Sequence, residues 1–248
     1  MDLDNRLWKR FNKALGQYQL IDENDHILVG LSGGKDSLLL LEFLARRQLI
    51  HMPRFTVSAL HVRMRNIHYE TNTSFLQSFC DRLNVPLHII TTHFDEELQS
   101  DSTQFPISDI QHRKPKPPCF LCSWQRRKQL FNTAQQLGCQ KIALGHHQDD
   151  IIHTALMNLT FQGHFTTMTA KLRMRKMPLT IIRPLCLCQE SDIRQYAESH
   201  HYEKLLKECP YEHETNRTTA SRLLQLMEQL NPEARFSLWA ALESEGKL

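Results

Sequence analysis

The amino-acid sequence predicts an α/β protein, a doubly wound parallel sheet with a small helical extension at the C-terminal end. The first observation is that short apolar runs alternate with segments of helical periodicity along most of the 248 residues. The second is that glycine is scarce, with 8 residues, yet Gly30, Gly33 and Gly34 fall within five positions at the end of the first apolar run. Such a concentration indicates a turn where backbone approaches a ligand closely.

Five short apolar runs predict the strands, which cover residues 27–31, 55–62, 85–91, 141–144 and 179–182. Apolar residues at helical spacing predict helices that begin near 35, 217 and 232, and helices over 69–83, 122–137, 149–159 and 190–198. The stretch from about 92 to 118 is polar and irregular, and a loop of that length is typically functional or mobile. The alternation favours a parallel sheet with helices on both faces.

The composition excludes a strongly basic nucleic-acid binder, because the net charge is only +3. The positive charge is nevertheless clustered, at Arg63 with Arg65 and in residues 112–116, 126–128 and 171–176. These clusters could bind a phosphate backbone, or they could be the solvent-exposed faces of helices and loops. The N-terminus lacks the apolar core of a signal peptide, and no apolar run is long enough to span a membrane. We therefore expect a cytoplasmic protein, in which the seven cysteines serve as metal, catalytic or core residues rather than disulfides.

A phosphate-binding turn is predicted between the first strand and the first helix of the sheet. The turn reads Ser32-Gly33-Gly34-Lys35-Asp36-Ser37. It lacks the first glycine of a Walker loop and has aspartate where that loop has serine or threonine. It does not match the spaced glycines of a dinucleotide fingerprint either. The sequence thus predicts a phosphate loop of a different type.

Each residue of this turn has a role in binding a polyphosphate. Gly33 and Gly34 allow consecutive N–H groups to point at an anion, beside the positive end of the following helix. Ser32 and Ser37 add hydroxyl donors, and Lys35 adds a positive charge. Asp36 is a candidate ligand for the Mg²⁺ that accompanies polyphosphates. A glycine-containing turn with no ligand would not need this combination, so we expect ATP and Mg²⁺ here.

A second polar motif, Leu-Gly-His-His-Gln-Asp-Asp over residues 144–150, follows the fourth predicted strand and opens a helix. Gly145 permits close approach, His146 is a candidate proton carrier, and Asp149 and Asp150 are candidates for holding Mg²⁺ or substrate. The two aspartates also suit a helix N-terminus for electrostatic reasons alone. We expect this motif, the phosphate loop and the residues after Val62 to line one crevice at the carboxyl ends of the strands.

The cysteine pair Cys119 and Cys122 forms a C-x-x-C motif where the long loop meets a helix. Two thiolates at this spacing can hold one metal ion or one edge of a cluster, and the cations at 126–128 favour the thiolate form. Spacing alone leaves the remaining ligand open among Cys186, Cys188 and Cys209, whereas Cys80 and Cys139 have the surroundings of core residues.

These motifs together resemble a known family. The phosphate loop is similar to that of the PP-loop ATP pyrophosphatases, and the 144–150 motif with Arg183-Pro184-Leu185 is similar to their tRNA-modifying branch. With the C-x-x-C pair and a late cysteine, residues 27–239 resemble the tRNA 2-thiocytidine biosynthesis family. The resemblance implies an adenine nucleotide α-hydrolase-like fold. It also implies a [4Fe-4S] cluster on Cys119, Cys122 and Cys209.

The resemblance further implies an activity and partners. ATP would adenylate a pyrimidine C2 oxygen, of an anticodon-loop cytidine, and sulfur delivered through the cluster would replace that oxygen. The partners would be tRNA, a sulfur donor such as a cysteine desulfurase, and a second copy in a homodimer. We expect an N-terminal helical segment (1–24), a PP-loop ATP-binding domain (25–200) and a helical extension (201–248) that carries Cys209.

Two alternatives stay open at this point. An amine attacks the adenylated base in the lysidine synthetases, which share the phosphate loop and the 144–150 motif but not the three cysteines. Zinc on Cys119, Cys122, Cys209 and a histidine would instead make the cysteine site structural, in a non-catalytic RNA-binding protein.

Overall fold

The computed structural model describes residues 2–65, 72–93, 118–203 and 216–248. The strands are β1 (Asp25–Gly30), β2 (Phe55–Met64), β3 (Leu87–Thr92), β4 (Lys141–Ala143), β5 (Lys171–Arg173) and β6 (Thr180–Ile182). The helices are α1 (Leu3–Gln17), α2 (Lys35–Gln48), α3 (Thr73–Arg82), α4 (Pro118–Gln136), α5 (Gln148–Gln162), α6 (Glu190–Ser199), α7 (Asn216–Leu230) and α8 (Ala234–Ser244). No helix within these ranges is both long and apolar enough to cross a bilayer.

The six strands form one sheet in the order β3-β2-β1-β4-β6-β5, which confirms the predicted α/β class. Five strands are parallel, and β5 pairs antiparallel with β6 at the edge. The sequence analysis missed β5 because its three residues, Lys-Leu-Arg, form no apolar run. The order reverses between β1 and β4, so the turns that follow these two strands open into the same crevice.

Side chains of the sheet alternate between two apolar layers. Ile27 and Val29 of β1 belong to the larger layer, which also contains buried residues of α1, α2, α3, α5, α6, α7 and α8. Leu28 points the other way, into a smaller layer that it shares with Leu130 and Ala134 of α4. Within the described residues, α4 is the only helix that contributes to the smaller layer.

Two helix boundaries differ from the predicted ones. Helix α4 begins at Pro118, one turn before the predicted start at 122. Proline is favourable in a first turn because the N–H that it lacks would have no partner within the helix. Helix α3 begins at Thr73, where the side chain of Asn72 accepts a hydrogen bond from the N–H of Phe75 at 2.9 Å. The predicted start near 69 lies outside the described residues.

Helix α1 packs onto the main core through Leu7, Phe11 and Ala14. Its polar side is tied to α6, because the guanidinium of Arg6 makes two hydrogen bonds to the carboxylate of Asp192, at 2.8 and 3.1 Å. Arg10 adds a third hydrogen bond to the same carboxylate, at 3.1 Å. The N-terminal helix is thus held by both apolar and ionic contacts, while the predicted division of the chain into three parts stays a prediction.

A buried lysine ties the amino ends of the strands together. The Nζ atom of Lys141, whose side chain is only 4% exposed, lies 2.6 Å from Asp25 and 2.7 Å from Asp22. It also donates a hydrogen bond to the carbonyl of Leu20 at 2.9 Å. The lysine and Asp25 are buried together, so neither charge can be rehydrated if its partner is removed.

Replacement of this lysine tests the ionic contact. Lys141→Ala should destabilise the protein by about 3–5 kcal/mol, because it leaves the buried carboxylate of Asp25 without its partner. Denaturant unfolding measures this change. Lys171→Ala is the matched control, since Lys171 lies 4.0 Å from Asp22 with a side chain that is 35% exposed, and it should cost less than about 1 kcal/mol. Equal losses in the two variants would contradict this assignment.

Candidate active site

A cavity of about 600 Å³ lies at the carboxyl ends of β1 and β4, where the strand order reverses. Its lining comes from three parts of the chain: the end of β1 and the turn after it (Gly30, Ser32, Lys35, Asp36 and Ser37), the segment after β4 (144–147, Asp150 and His153), and Glu190, Thr218 and Ser221 from α6 and α7. The structure therefore brings the phosphate loop and the 144–150 motif into one crevice, as expected. Val62 is not among the residues that line the described cavity.

The phosphate loop is held in shape by its own serines. Gly33 has a φ of +87°, a conformation that side chains other than glycine rarely adopt. The hydroxyl of Ser32 accepts a hydrogen bond from the N–H of Gly34 at 3.2 Å and lies 3.1 Å from the hydroxyl of Ser37. Ser37 donates to the carbonyl of Gly34 at 2.9 Å. The two hydroxyls thus fix the shape of the turn, and the N–H of Gly34 is used within the turn itself.

Gly145 lies against the backbone of the phosphate loop. A Cβ atom at this position would be 3.0 Å from the carbonyl carbon of Asp36 and 3.1 Å from the N atom of Ser37. Such distances are tighter than most real Cβ contacts, so a methyl group here would require the backbone of the phosphate loop to shift by a few tenths of an ångström. The glycine therefore serves the packing of the two loops against each other, in addition to any approach to a ligand.

The charge of Lys35 is balanced by two carboxylates in the cavity. Its Nζ atom lies 3.2 Å from Asp36 and 3.3 Å from Glu190 at the start of α6. Burial raises the pKa of Glu190, but the positive charge of Lys35 outweighs that effect, and the pKa lies below its ordinary value. Glu190 therefore stays ionised at neutral pH beside the lysine that is expected to contact phosphate.

The carboxylates of the cavity fit a divalent cation. The Oδ1 atom of Asp36 is buried and accepts no hydrogen bond from any residue that the structure describes. Asp150 lines the same cavity, and its Oδ2 atom accepts a hydrogen bond from the N–H of His147 at 3.1 Å. Mg²⁺ prefers carboxylate oxygens and water, so Asp36 and Asp150 are candidate ligands of such a cation, which would compete with the ion pair of 3.2 Å between Oδ1 of Asp36 and Nζ of Lys35.

His146 and His147 both line the cavity, but their surroundings differ. His147 is buried among three carboxylates, with Nε2 3.5 Å from Asp150 and 3.9 Å from Asp36, and Nδ1 3.6 Å from Asp149. His146 is partly exposed to the cavity. Either histidine of the motif is a candidate proton carrier from the sequence, with His146 predicted as catalytic, and the structure places both at the cavity.

Asp149 is directed away from the cavity lining and into a chain of polar contacts. Its two oxygens accept hydrogen bonds from the guanidinium of Arg235 at 2.7 Å and from the N–H of Glu190 at 2.8 Å. Burial raises the pKa of Asp149, but these two donors outweigh it and bring the pKa below the ordinary value. This geometry favours a role in holding α5, α6 and α8 together over direct contact with substrate.

The cysteine pair lies at the same edge of the sheet, one strand away from the phosphate loop. Cys119 is exposed and Cys122 half-buried in the first turn of α4, and a separation of three residues puts them on one side of the helix. Leu121 and Cys122 pack with Val62 and Met64 at the end of β2.

The remaining cysteines divide by burial. Cys80, Cys139, Cys186 and Cys188 are all buried. Burial raises the pKa of Cys186 to about 12 and also raises that of Cys188, which disfavours the thiolate form that metals require. Cys209 lies outside the described residues. Within the described part of the chain, no group of three histidine, cysteine, aspartate or glutamate side chains is arranged to hold a metal ion.

A family model described as a PP-loop domain matches residues 3–220. The chain belongs to the PP-loop family. Among its curated relatives, a tRNA-cytidine(32) 2-sulfurtransferase from Shewanella oneidensis is 35% identical over 79% of this chain and 59% of that protein. Another of the same name, from Shewanella sediminis, is 32% identical over 98% of this chain and 73% of that protein. The chain therefore belongs to the same branch of the PP-loop family as these relatives. The chain thus spans about three fifths of several of these relatives.

A solved structure is also similar to this PP-loop protein. The U34-tRNA thiolase NcsA from Methanococcus maripaludis, described with its [4Fe-4S] cluster, superposes with a TM-score of 0.74 and 23% identity. The match covers 98% of this chain and 78% of that one. At this identity the likeness shows a shared fold.

Glu190, which contacts Lys35, and Arg235, which holds Asp149, are among the residues around the PP-loop cavity that the sequence did not predict. The only feature of Glu190 in the sequence is its position at the start of a predicted helix. Acidic residues are common at helix N-termini, so this position does not indicate a functional site. Arg235 follows Asp149 by 86 residues, so no spacing rule connects them. Such partners become visible only when the helices are packed.

Gly145→Ala should weaken ATP binding by about tenfold or more, because the new methyl group would displace the PP-loop backbone at Asp36 and Ser37. Calorimetric titration with a non-hydrolysable ATP analogue measures the change. Gly16→Ala is the control, since a Cβ at Gly16 has no neighbour within 4 Å. An unchanged affinity in Gly145→Ala would show that the two loops can separate without affecting the nucleotide.

Glu190→Gln should strengthen the binding of metal-free ATP several-fold, because it removes a carboxylate from the cavity and releases Lys35. Glu198→Gln is the control, an exposed glutamate on the same helix. Titrations with and without Mg²⁺ separate two roles for Glu190. Weaker binding of Mg²⁺–ATP, with metal-free binding unchanged, would instead assign Glu190 to the metal.

Proposed function

We propose that this protein catalyses ATP-dependent thiolation of tRNA, by adenylating the C2 oxygen of an anticodon-loop cytidine and replacing that oxygen with sulfur. The observation that carries the proposal is the position of the C-x-x-C helix. Cys122 contacts the end of β2, and the PP-loop follows the neighbouring strand β1 at the same edge of the sheet. Thiols beside a nucleotide site suit a reaction in which activation by ATP is followed by sulfur transfer.

In this proposal the cavity residues bind the triphosphate. The N–H groups at the start of α2 face the phosphates, and the ammonium of Lys35 exchanges its contact with Glu190 for one with the anion. Asp36 and Asp150 would hold Mg²⁺, which neutralises the pyrophosphate as it leaves. Activation therefore depends on positioning and charge neutralisation.

The reaction proceeds in two displacements. The C2 oxygen of the base attacks the α-phosphorus of ATP, the bond to the β-phosphate oxygen breaks, and pyrophosphate leaves. Hydrosulfide then adds to C2, the bond from C2 to the adenylated oxygen breaks, and AMP leaves with that oxygen. Sulfur enters as sulfide, so no oxidant is required. The proton lost from hydrosulfide can pass to His146 or His147, which line the cavity.

The cysteine pair fits an iron–sulfur cluster. Cys119 and Cys122 share one side of the first turn of α4, which suits two ligands of one cluster edge. Cys209 would be the third ligand. When bound, a [4Fe-4S] cluster with three protein thiolates supplies one iron without a protein ligand, where hydrosulfide can be held. If the same cysteines bound zinc instead of a cluster, the site would stabilise the fold and would not take part in the reaction.

The partners in this proposal follow from the chemistry. tRNA supplies the base, a cysteine desulfurase or a similar donor supplies sulfide, and a cytoplasmic location provides both. A homodimer is part of the same proposal.

Product formation tests the proposed function. Anaerobically purified protein should convert an unmodified tRNA transcript to a form containing 2-thiocytidine when ATP, Mg²⁺ and sulfide are present, with one pyrophosphate released per thiolated base. Mass spectrometry of nucleosides from the digested tRNA identifies the product. Formation of a lysine adduct with ATP under air, without iron, would support the lysidine-type alternative. No pyrophosphate release under any of these conditions would leave the non-catalytic alternative.

Replacement of the cysteines tests the cluster. Cys119→Ala and Cys122→Ala should each abolish the iron–sulfur charge-transfer absorption of the anaerobic protein, because each removes a ligand. Cys209→Ala should do the same. Cys186→Ala is the matched control, a buried thiol whose loss should leave the absorption unchanged. A colourless wild-type protein with one zinc per chain would refute the cluster.

A further inference from the structure

One side of α4 exposes aromatic and basic side chains together. Phe120, Trp124 and Lys128 follow each other at intervals of four residues, and Arg127 lies three residues after Trp124, so all four share one side of the helix. We call this set the α4 platform. Phe120 is 48% exposed and Trp124 51% exposed. The Nζ atom of Lys128 lies 5.3 Å from the centre of the Trp124 ring.

The α4 platform carries only positive charge. Over its 19 residues α4 contains Arg126, Arg127 and Lys128 and no aspartate or glutamate. A solvated helix usually mixes both signs, which stabilises it through pairs at intervals of three or four residues. A helix with cations alone, next to exposed aromatic rings, suits an anionic partner that also offers flat apolar surfaces.

Helix α4 is held firmly by its opposite side. Leu130 is buried in the smaller apolar layer, on the side of the sheet that Leu28 faces. The side-chain amide of Gln125 donates a hydrogen bond to the carbonyl of His93 at 2.9 Å. The first turn of the helix carries the cysteine pair and contacts Met64 at the end of β2. The platform is thus a fixed surface that starts beside the proposed sulfur site.

We propose that the α4 platform binds a single-stranded RNA segment, with bases stacked on Trp124 and Phe120 and phosphates paired with Arg127 and Lys128. Single-stranded nucleotides combine a flat apolar base with a negative phosphate, which matches the two kinds of side chain on this helix. This inference rests on the proposed function for the identity of the RNA as tRNA. It adds the surface on which the unpaired nucleotides lie before one base enters the cavity.

The expected effects on RNA affinity follow from this geometry. Trp124→Ala should weaken binding of an RNA hairpin with an unpaired loop by roughly 5- to 150-fold, the range for loss of one stacked base. Trp124→Phe should restore most of the affinity, because it keeps an aromatic face. Lys128→Glu should weaken binding and reduce the slope of log affinity against log salt concentration by about 1 or more.

Matched controls lie on the other face of the sheet. Phe161→Ala removes an aromatic ring that is 62% exposed at the end of α5, and Lys13→Glu reverses an exposed lysine on α1. Both should bind the hairpin as the wild-type protein does. Fluorescence anisotropy with the full chain and a labelled hairpin measures all affinities. Circular dichroism checks that each variant is folded, and α4 should tolerate the changes because the replaced side chains are exposed.

The outcomes separate this inference from the proposed function. Wild-type affinity in both Trp124→Ala and Lys128→Glu would overturn the inference, even if the protein thiolates tRNA. Platform-dependent RNA binding without any thiolated product would leave the inference standing and refute the proposed function. Loss of thiolation in Trp124→Ala at unchanged RNA affinity would refute the RNA role and indicate that the helix binds a protein, such as the sulfur donor.

Discussion

The close contact between Gly145 and the backbone of Asp36 and Ser37 is the constraint on which the candidate site depends. β1 and β4 are neighbours, so the turns that leave them share one edge, but adjacency alone would leave a gap between the turns. Because Gly145 has no side chain, the second turn lies directly on the first, and His147 comes within 3.9 Å of Asp36. A cavity with residues from both motifs is the result. Gly145 thus allows the turns after two neighbouring strands to form one site.

The charges of this cavity favour the Mg²⁺ that the proposed function requires. Lys35 is the only lysine or arginine among the residues that line the described cavity, whereas Asp36, Asp150 and Glu190 are all carboxylates there. A polyphosphate would bring further negative charge into this site, and backbone N–H groups compensate only part of it. Carboxylates and phosphates repel each other, whereas a divalent cation placed between them attracts both groups. Lys35 can bind a phosphate group in this cavity, because the phosphate can replace the carboxylate of Glu190 as its ionic partner.

The sequence was sufficient where a local pattern decides the structure. The apolar runs predicted the five parallel strands, and the glycines and serines at 32–37 predicted the phosphate turn, because backbone conformation there depends on neighbouring residues. It failed for β5, whose three residues form a strand only through pairing with β6. It failed also for Glu190 and Arg235, which join the site through the packing of α6 and α8. Neither residue belongs to a motif that follows a strand, so no local pattern connects Arg235 to Asp149, 86 residues earlier.

The hydrogen bond from Arg235 to Asp149 connects helix α8 to the phosphate loop. Arg235 lies in α8, and Asp149 in turn receives the N–H of Glu190, whose carboxylate contacts Lys35. A displacement of α8 would therefore be transmitted through Asp149 and Glu190 to the lysine of the phosphate loop. Anything that moves α8 would in this way alter how strongly the cavity holds ATP.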